Sequence, residues 1–298
     1  MASAVVFAYH NVGVRCLSVL LAQGVDVKLV VTHEDNPDET IWFSSVSALA
    51  REHGLSCITP ADPNAPEIVE RVRAAQPDFL FSFYYRNMLK APLLQVARRG
   101  CYNMHGSLLP KYRGRVPINW AIIKGESETG ATLHVMNEKP DNGPIVDQTA
   151  VPILPDDTAQ DVFGKVTVAA EITLHRCLPA LMAGAAKLTA QDLSKGAYFG
   201  GRKAEDGRID WKQGARDIHN LVRAVTRPYP GAFCDTAAGR LIIWRTLALE
   251  RRSTGAPALY LENDAICARC GDGGLLKILD AELNSHPLTA AALPLSPA

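Results

Sequence analysis

The sequence predicts an α/β protein with a doubly wound N-terminal domain and a smaller C-terminal β-barrel. Three observations predict it. Through the first half, short apolar runs alternate with amphipathic stretches, the pattern of a parallel sheet covered by helices. A break rich in Ser, Gly and charged residues spans Gln191 to Asp206. Beyond it, one helical stretch is followed by short β-like runs separated by Gly-containing turns.

In order, the expected strands of the first half are Ala4–Tyr9, Val27–Thr32, Phe79–Phe83 and Gly100–His105. Between them Arg15–Gln23, Ser44–His53 and Pro66–Ala75 carry apolar residues at helical spacing, with Asn11 or Gly13 opening the first helix and Gly24 closing it. After the turn-rich segment Pro110–Pro117 come a helix near Ile118–Lys124, strands near Thr129–Val135 and Ile145–Val151, and a long helix from Thr158 to Ala183. Asp156 and Asp157 stand where an N-cap and a first-turn anion are wanted. A helix over Ala215–Val225 then precedes β-like runs at Ala232–Asp235, Leu241–Leu249, Ala265–Ala268 and Leu275–Leu279. The expected organisation is therefore a catalytic domain over 1–190, a linker over 191–205, a small barrel over 206–286 and a frayed Pro/Ala-rich tail over 287–298.

Composition narrows the class. The chain has 298 residues, 47% hydrophobic and 21% charged, as in ordinary globular proteins of two domains. Its 31 basic residues balance 31 acidic ones, so it lacks the positive field of a dedicated nucleic-acid binder, and nucleic acid is not the expected partner. No apolar run approaches the roughly 20 residues that cross a bilayer, and the N-terminus has no signal-peptide pattern. The expectation is a cytoplasmic protein with small-molecule partners, and a homo-oligomer is compatible with it. Seven scattered cysteines do not look like a disulfide framework. Cys267 and Cys270 have zinc-ligand spacing but no second ligand pair nearby, so no metal is expected.

The chemistry is concentrated after the fourth expected strand. Asn103 and His105 are two residues apart on a strand and so face the same side. Ligands of open α/β sheets bind beyond the carboxyl ends of strands, which is where this pair falls. Gly106 lets the backbone turn sharply and Pro110 stops further pairing. The plain alternative is a structural histidine beside a turn asparagine.

The run Asn103-x-His105-x-Ser107-Leu108-Leu109-Pro110 is followed by Tyr112-Arg113-Gly114, Gly130-x-Thr132-x-His134 and Asp141-x-Gly143-x-Ile145. In order and spacing these segments resemble the folate-dependent formyltransferase family. Val5 to His10, Phe81 to Arg86, His105 to Arg115 and His219 to Val225 extend the likeness outside that motif. They look most like the formyltransferase domain of the bifunctional polymyxin-resistance enzyme, without its dehydrogenase half. The resemblance implies a Rossmann-like catalytic domain and a C-terminal barrel resembling an OB fold. It implies transfer of a formyl group from 10-formyltetrahydrofolate to the amine of a nucleotide-linked sugar, with UDP-4-amino-4-deoxy-L-arabinose, a precursor for lipid A modification, as the expected acceptor.

In that chemistry an amine attacks the formyl carbon and negative charge develops on its oxygen. Asn103 and His105 are the expected donors to that oxygen, a role worth about 2.7–4 kcal/mol per donor. Asp141 is expected to orient or ionise His105 and to relay the proton; Pro140-Asp141-Asn142-Gly143 is also a good turn. The resemblance assigns folate binding to Arg86, Asn87, Met88 and Leu89, with Asp141 on the other side, although Met88 and Leu89 equally suit a helix core. Lys111, Tyr112, Arg113 and Arg115 form a basic turn suited to a phosphate-bearing acceptor, with Ser107 beside them, or else a solvated run. Tyr198 and Arg202 are expected to close over the sugar nucleotide. No G-x-G-x-x-G follows the first strand, so a dinucleotide is not indicated. A methionyl-tRNA formyltransferase would need a basic C-terminal domain, whereas residues 201–298 hold 13 basic and 11 acidic residues, a difference of +2. A catalytically silent folate- or nucleotide-binding protein is the non-enzymatic alternative.

Overall fold

The apolar run Ser3–Ala8 forms strand β1, and the fold grows outward from it; the computed structural model describes residues 1–36 and 41–295. Helix α1 (His10–Ala22), β2 (Asp26–Val31), α2 (Val46–Glu52), β3 (Cys57–Ile58), α3 (Pro66–Ala74), β4 (Phe79–Phe83), α4 (Ala91–Leu94) and β5 (Cys101–His105) follow. Then come β6 (Arg113–Gly114), α5 (Pro117–Ile123), β7 (Glu128–Val135), β8 (Ile145–Pro152) and α6 (Ala159–Met182). Seven strands join in the order β3-β2-β1-β4-β5-β7-β8. The pairs β1–β2, β1–β4, β2–β3 and β4–β5 are parallel, whereas β7 runs antiparallel to β5. The expected parallel sheet is thus a mixed one, because the short α5 connection returns the chain against β5 rather than crossing over.

Every residue of β4 is buried, which is what a central strand covered on both faces requires. Val5, Phe7, Leu29, Val31 and Leu80 pack with Val69 and Val72 of α3 and with Leu93 of α4. Phe79, Phe81 and Tyr102 form a second aromatic cluster, centroids 5.8–6.1 Å apart. Burial of each such ring stabilises by about 1.5–3 kcal/mol.

Two details differ from expectation. Helix α1 begins at His10, and the Asn11 side chain instead accepts a hydrogen bond from Ser44 N, 2.7 Å away. At the start of α6 the cap is Thr158, not Asp156 or Asp157. Thr158 Oγ1 accepts from Asp161 N (3.2 Å) and Asp161 Oδ2 accepts from Thr158 N (2.8 Å), a reciprocal capping pair.

The C-terminal region holds β9 (Tyr198–Phe199), α7 (Ala215–Val225), β10 (Ala232–Thr236), β11 (Gly239–Arg252), β12 (Ala258–Glu262), β13 (Ala265–Arg269), β14 (Gly274–Leu283) and β15 (His286–Pro287). β9 pairs with β6 in a small separate sheet. The others form one sheet in the order β10-β11-β14-β13-β12, with β15 on β14. Among the described residues no pairing closes it, so the expected OB-like barrel is an open antiparallel sheet. Its two edges are covered by single bridges instead, Arg208 to Phe233 on β10 and Leu259 on β12 to Leu295. The second bridge lies in the segment expected to fray, where residues 287–295 hold the end of β15, a one-turn helix at Ala290–Ala292 and that contact; residues 296–298 fall outside the described ones.

Two compact units emerge: Met1–Pro117 with Thr129–Val151 and Gly164–Phe199, and Ile118–Glu128 with Pro152–Phe163 and Gly200–Ala298. No helix among the described residues is long and apolar enough to cross a membrane.

Candidate active site

Strands β5 and β7 set the register of the site. Asn103 opposes His134 and His105 opposes Thr132, so alternation puts all four side chains on one face. Asp141 arrives from the loop after β7. Its Oδ1 lies 3.4 Å from Asn103 Nδ2, 3.5 Å from His105 Nδ1 and 3.3 Å from His134 Nε2. Gly114 N donates to Asp141 Oδ2 at 2.8 Å, holding the carboxylate from its far side. The three residues singled out for catalysis therefore meet, and His134 joins them. The sequence signal for His134 was its place two residues from Thr132 in a strand that could pair with β5.

Proton positions follow from the partners. His105 Nε2 lies 2.8 Å from the Tyr112 carbonyl, which can only accept, so this nitrogen carries a proton. Nδ1 faces a carboxylate, and both contacts are favourable together only when the ring holds two protons. His134 Nδ1 donates to Val135 O at 2.9 Å, leaving Nε2 to accept from Asn103 Nδ2 at 3.1 Å or, with a second proton, to donate to Asp141. Burial pushes the Asp141 carboxyl up, but the charge on His105 opposes it. With the hydrogen bonds from His134 and Gly114, that charge holds the carboxyl well below the usual range. A largely buried carboxylate that stays ionised between two imidazoles is equipped to orient one and to take part in a proton relay with it.

The surrounding loops are built to hold this geometry. Thr132 Oγ1 donates to Ser107 O (2.6 Å) and accepts from Leu109 N (3.2 Å) and from Gln148 Nε2 (2.8 Å), fixing the turn after β5. Gln191 Nε2 donates to the carbonyls of Asp141 (2.9 Å) and Gly143 (2.6 Å), pinning the other loop. Tyr112 and Asp141 both adopt left-handed backbone, φ 54° and 55°, at a cost of roughly 1–2 kcal/mol each. A Cβ on Gly143 would collide with the Val135 carbonyl. Gly143→Ala is therefore expected to destabilise by about 1–3 kcal/mol and to displace Asp141. A lowered Tm accompanied by a fall in kcat at permissive temperature would establish both effects.

The remaining expected site residues divide. Ser107 is fully buried and donates to Lys111 O at 2.6 Å, so it staples the turn. Tyr112 is buried and stacks on Phe199, centroids 5.1 Å apart. Arg113 donates to Asn142 Oδ1 (2.7 Å) and to Gly196 O (3.1 Å), which uses the guanidinium to join loops. Lys111, Arg115 and Tyr198 are exposed, with Tyr198 on β9 beside Arg113 on β6. Arg202 lies in the other compact unit, its guanidinium 4.9 Å over the Trp120 ring. Leu89 is in the apolar core, while Arg86, Asn87 and Met88 are exposed. Asn64, not foreseen, pins that loop by donating to Met88 O (2.9 Å) and accepting from Lys90 N (2.8 Å). Arg86 lies 4.8 Å over the Tyr9 ring, and its backbone N donates to His33 Nε2 at 3.1 Å. Burial, with Arg86 nearby, pushes the His33 imidazole down to about 4. No cluster of metal-ligating side chains occurs among the described residues.

Similar solved structures share this fold. One is the N-formyltransferase from Helicobacter canadensis in complex with folinic acid and dTDP-3-aminofucose, at 21% identity and TM-score 0.75, covering 93% of this chain and 99% of that one. Another is WlaRD, a sugar 3N-formyl transferase solved with dTDP and 5-N-formyl-THF, at 20% identity and TM-score 0.73, with 93% and 97% covered. A sugar N-formyltransferase from a Shewanella species matches at 22% identity and TM-score 0.66, with 85% and 99% covered. Residues 15–178 match the formyl transferase family, and residues 202–293 match the formyl transferase C-terminal domain. Since those two stretches take in most of the sequence and the first contains the whole Asn103–His105–Asp141 cluster, the chain belongs to the formyl transferase family and is a formyltransferase.

Proposed function

We propose that this formyltransferase moves the formyl group of 10-formyltetrahydrofolate to the amine of a nucleotide-linked amino sugar, with UDP-4-amino-4-deoxy-L-arabinose as acceptor. The observation that carries the reading is the meeting of Asn103, His105 and Asp141 at the end of a central strand. The amine nitrogen bonds to the formyl carbon, the bond from that carbon to the folate nitrogen breaks, and one proton passes from the amine to the folate nitrogen. Asn103 Nδ2 exchanges its long contact with Asp141 for the formyl oxygen as charge develops there. His105 supplies the second donor, and the coupled His105–Asp141 pair relays the amine proton. The pinned loop carrying Arg86, Asn87 and Met88 presents exposed groups to a flat, polar pterin. Lys111 and Arg115 are the exposed cations for the acceptor's phosphates.

The acceptor assignment rests on the sequence resemblance to the enzyme of lipid A modification and polymyxin resistance. A second reading, a dTDP-linked 3-amino sugar, is favoured by the ligands of the Helicobacter protein and WlaRD. Incubation with 10-formyltetrahydrofolate and UDP-4-amino-4-deoxy-L-arabinose, dTDP-amino sugars or charged initiator tRNA, followed by product mass, tests them. A gain of one CO on the UDP sugar is expected. The same gain only on dTDP sugars selects the second reading, and only on tRNA defeats both.

A further inference from the structure

Strands β2, β1 and β4 are parallel neighbours, so the residues that follow them emerge together at the carboxyl end of the sheet. That is the end at which open α/β sheets bind ligands. An aromatic side chain stands at each strand's exit: His33 after β2, Tyr9 after β1 and Tyr85 after β4. His33 stacks on Tyr85, with ring centroids 4.1 Å apart and planes 16° apart, and meets Tyr9 edge to face at 5.1 Å. Thr32 N donates to Ile58 O at 2.9 Å, so the backbone is still tied down one residue before His33. The imidazole thus has a fixed base and two aromatic walls, and formyl transfer as described gives it no part.

His33 Nε2 accepts a hydrogen bond from Arg86 N at 3.1 Å. A backbone N–H can only donate, so this nitrogen is bare and the ring proton sits on Nδ1. Burial and the nearby Arg86 cation push the imidazole down to about 4, which keeps it an acceptor at neutral pH. Arg86 is gripped a second time from the same side. Its guanidinium lies 4.8 Å over the Tyr9 ring, and Tyr9 Oη donates to Asp35 Oδ1 at 2.9 Å. Asn64 holds the far end of the loop through Met88 O and Lys90 N. Arg86, Asn87 and Met88 are exposed, where water satisfies backbone groups without help. Side chains that fix both ends of such a segment preorganise what it presents to a ligand.

We propose that His33 is a positioning residue for donor binding, its ring nitrogen setting the direction of the Arg86 backbone and so the course of the Arg86–Met88 loop before the folate arrives. The inference rests on the reading of that loop as the folate contact. Because His33 acts through the loop, its loss changes donor affinity and leaves the Asn103–His105–Asp141 cluster untouched.

The test measures the Kd of 5-formyltetrahydrofolate, an isomer of the donor, by calorimetry on the full chain. His33→Phe keeps a ring against Tyr85 but has no acceptor, and its Kd is expected to rise about five- to tenfold, the loss of one hydrogen bond. His33→Gln places Oε1 close to where Nε2 stood and is expected to bring the Kd back to within about twofold of wild type. The Arg86 amide resonance reports the contact directly, shifting in His33→Phe and moving back in His33→Gln. Unchanged affinity in His33→Phe, or no recovery in His33→Gln, overturns the proposal. Hydrogen exchange of the wild-type amides at 86–89 tests the underlying reading separately, with protection by 5-formyltetrahydrofolate expected. Its absence removes the folate loop and the proposal with it, whereas protection alongside unchanged affinity in His33→Phe removes the proposal alone.

Discussion

Asp141→Asn is expected to lower kcat for formyl transfer by about 10⁴-fold while the protein remains folded. An asparagine is nearly isosteric and its oxygen can still accept from Gly114 N. Its amide nitrogen, however, would face His105, whose Nε2 proton is committed to the Tyr112 carbonyl. His105 Nδ1 must then accept, which locks the ring neutral and removes the proton acceptor as well. Single-turnover rates of the two proteins measure the effect, and a loss under tenfold would remove Asp141 from the mechanism. Stability gives a second readout. Because the folded-state carboxyl titrates below its unfolded value, its contribution is fully present above about pH 4 and is lost as pH falls from there toward the folded-state value. The difference in Tm between wild type and Asp141→Asn is therefore expected at neutral pH and should shrink in acid.

Asn103→Ala is expected to cost about 10²–10³ in kcat, the usual consequence of removing one donor to a developing oxyanion, with little change in KM. The amide is a ground-state partner of His134 and Asp141, so its removal also frees both groups. The discriminating comparison is Asn103→Asp, which keeps the shape but places a second carboxylate about 3.4 Å from the first. A purely structural role for Asn103 would leave alanine and wild type alike in single-turnover rate once the amount of folded protein is matched. A change confined to KM would likewise count against the oxyanion assignment.

Much of the architecture was legible because it is local. Strand β4 and helix α7 fall on the expected residues, since an unbroken apolar run and a 3.6-residue apolar stripe each declare themselves within a dozen positions. The pairing of Arg113–Gly114 with Tyr198–Phe199 was not legible, because two-residue strands so far apart in sequence leave no periodic trace. Strand β12 was missed for a similar reason: Ala258–Glu262 is short and its alternation weak. Barrel closure depends on what meets the sheet edges, and here single bridges from Arg208 and Leu295 occupy them.

The site followed the same rule. Asn103 and His105 could be placed from strand alternation, and Asp141 from the spacing of the resembling motif. The destination of Arg113 could not, since a guanidinium beside a basic turn reads as a phosphate ligand until the loop at Leu193–Gly196 is seen to claim it. His134 lay inside a quoted motif, yet only the cross-strand register gives it Asn103 as a neighbour.

That register ties the site unequally to the rest of the molecule. Asn103, His105 and His134 ride on a ladder at the heart of the sheet, whereas Asp141 hangs on a turn tethered by Gln191 and Gly114. Local opening detaches tethered turns at far lower free energy than it splits central strands. If the proposed mechanism holds, the imidazoles and the amide are its durable half, and the three hydrogen bonds from Gln191 and Gly114 are what keep the acid in reach of them.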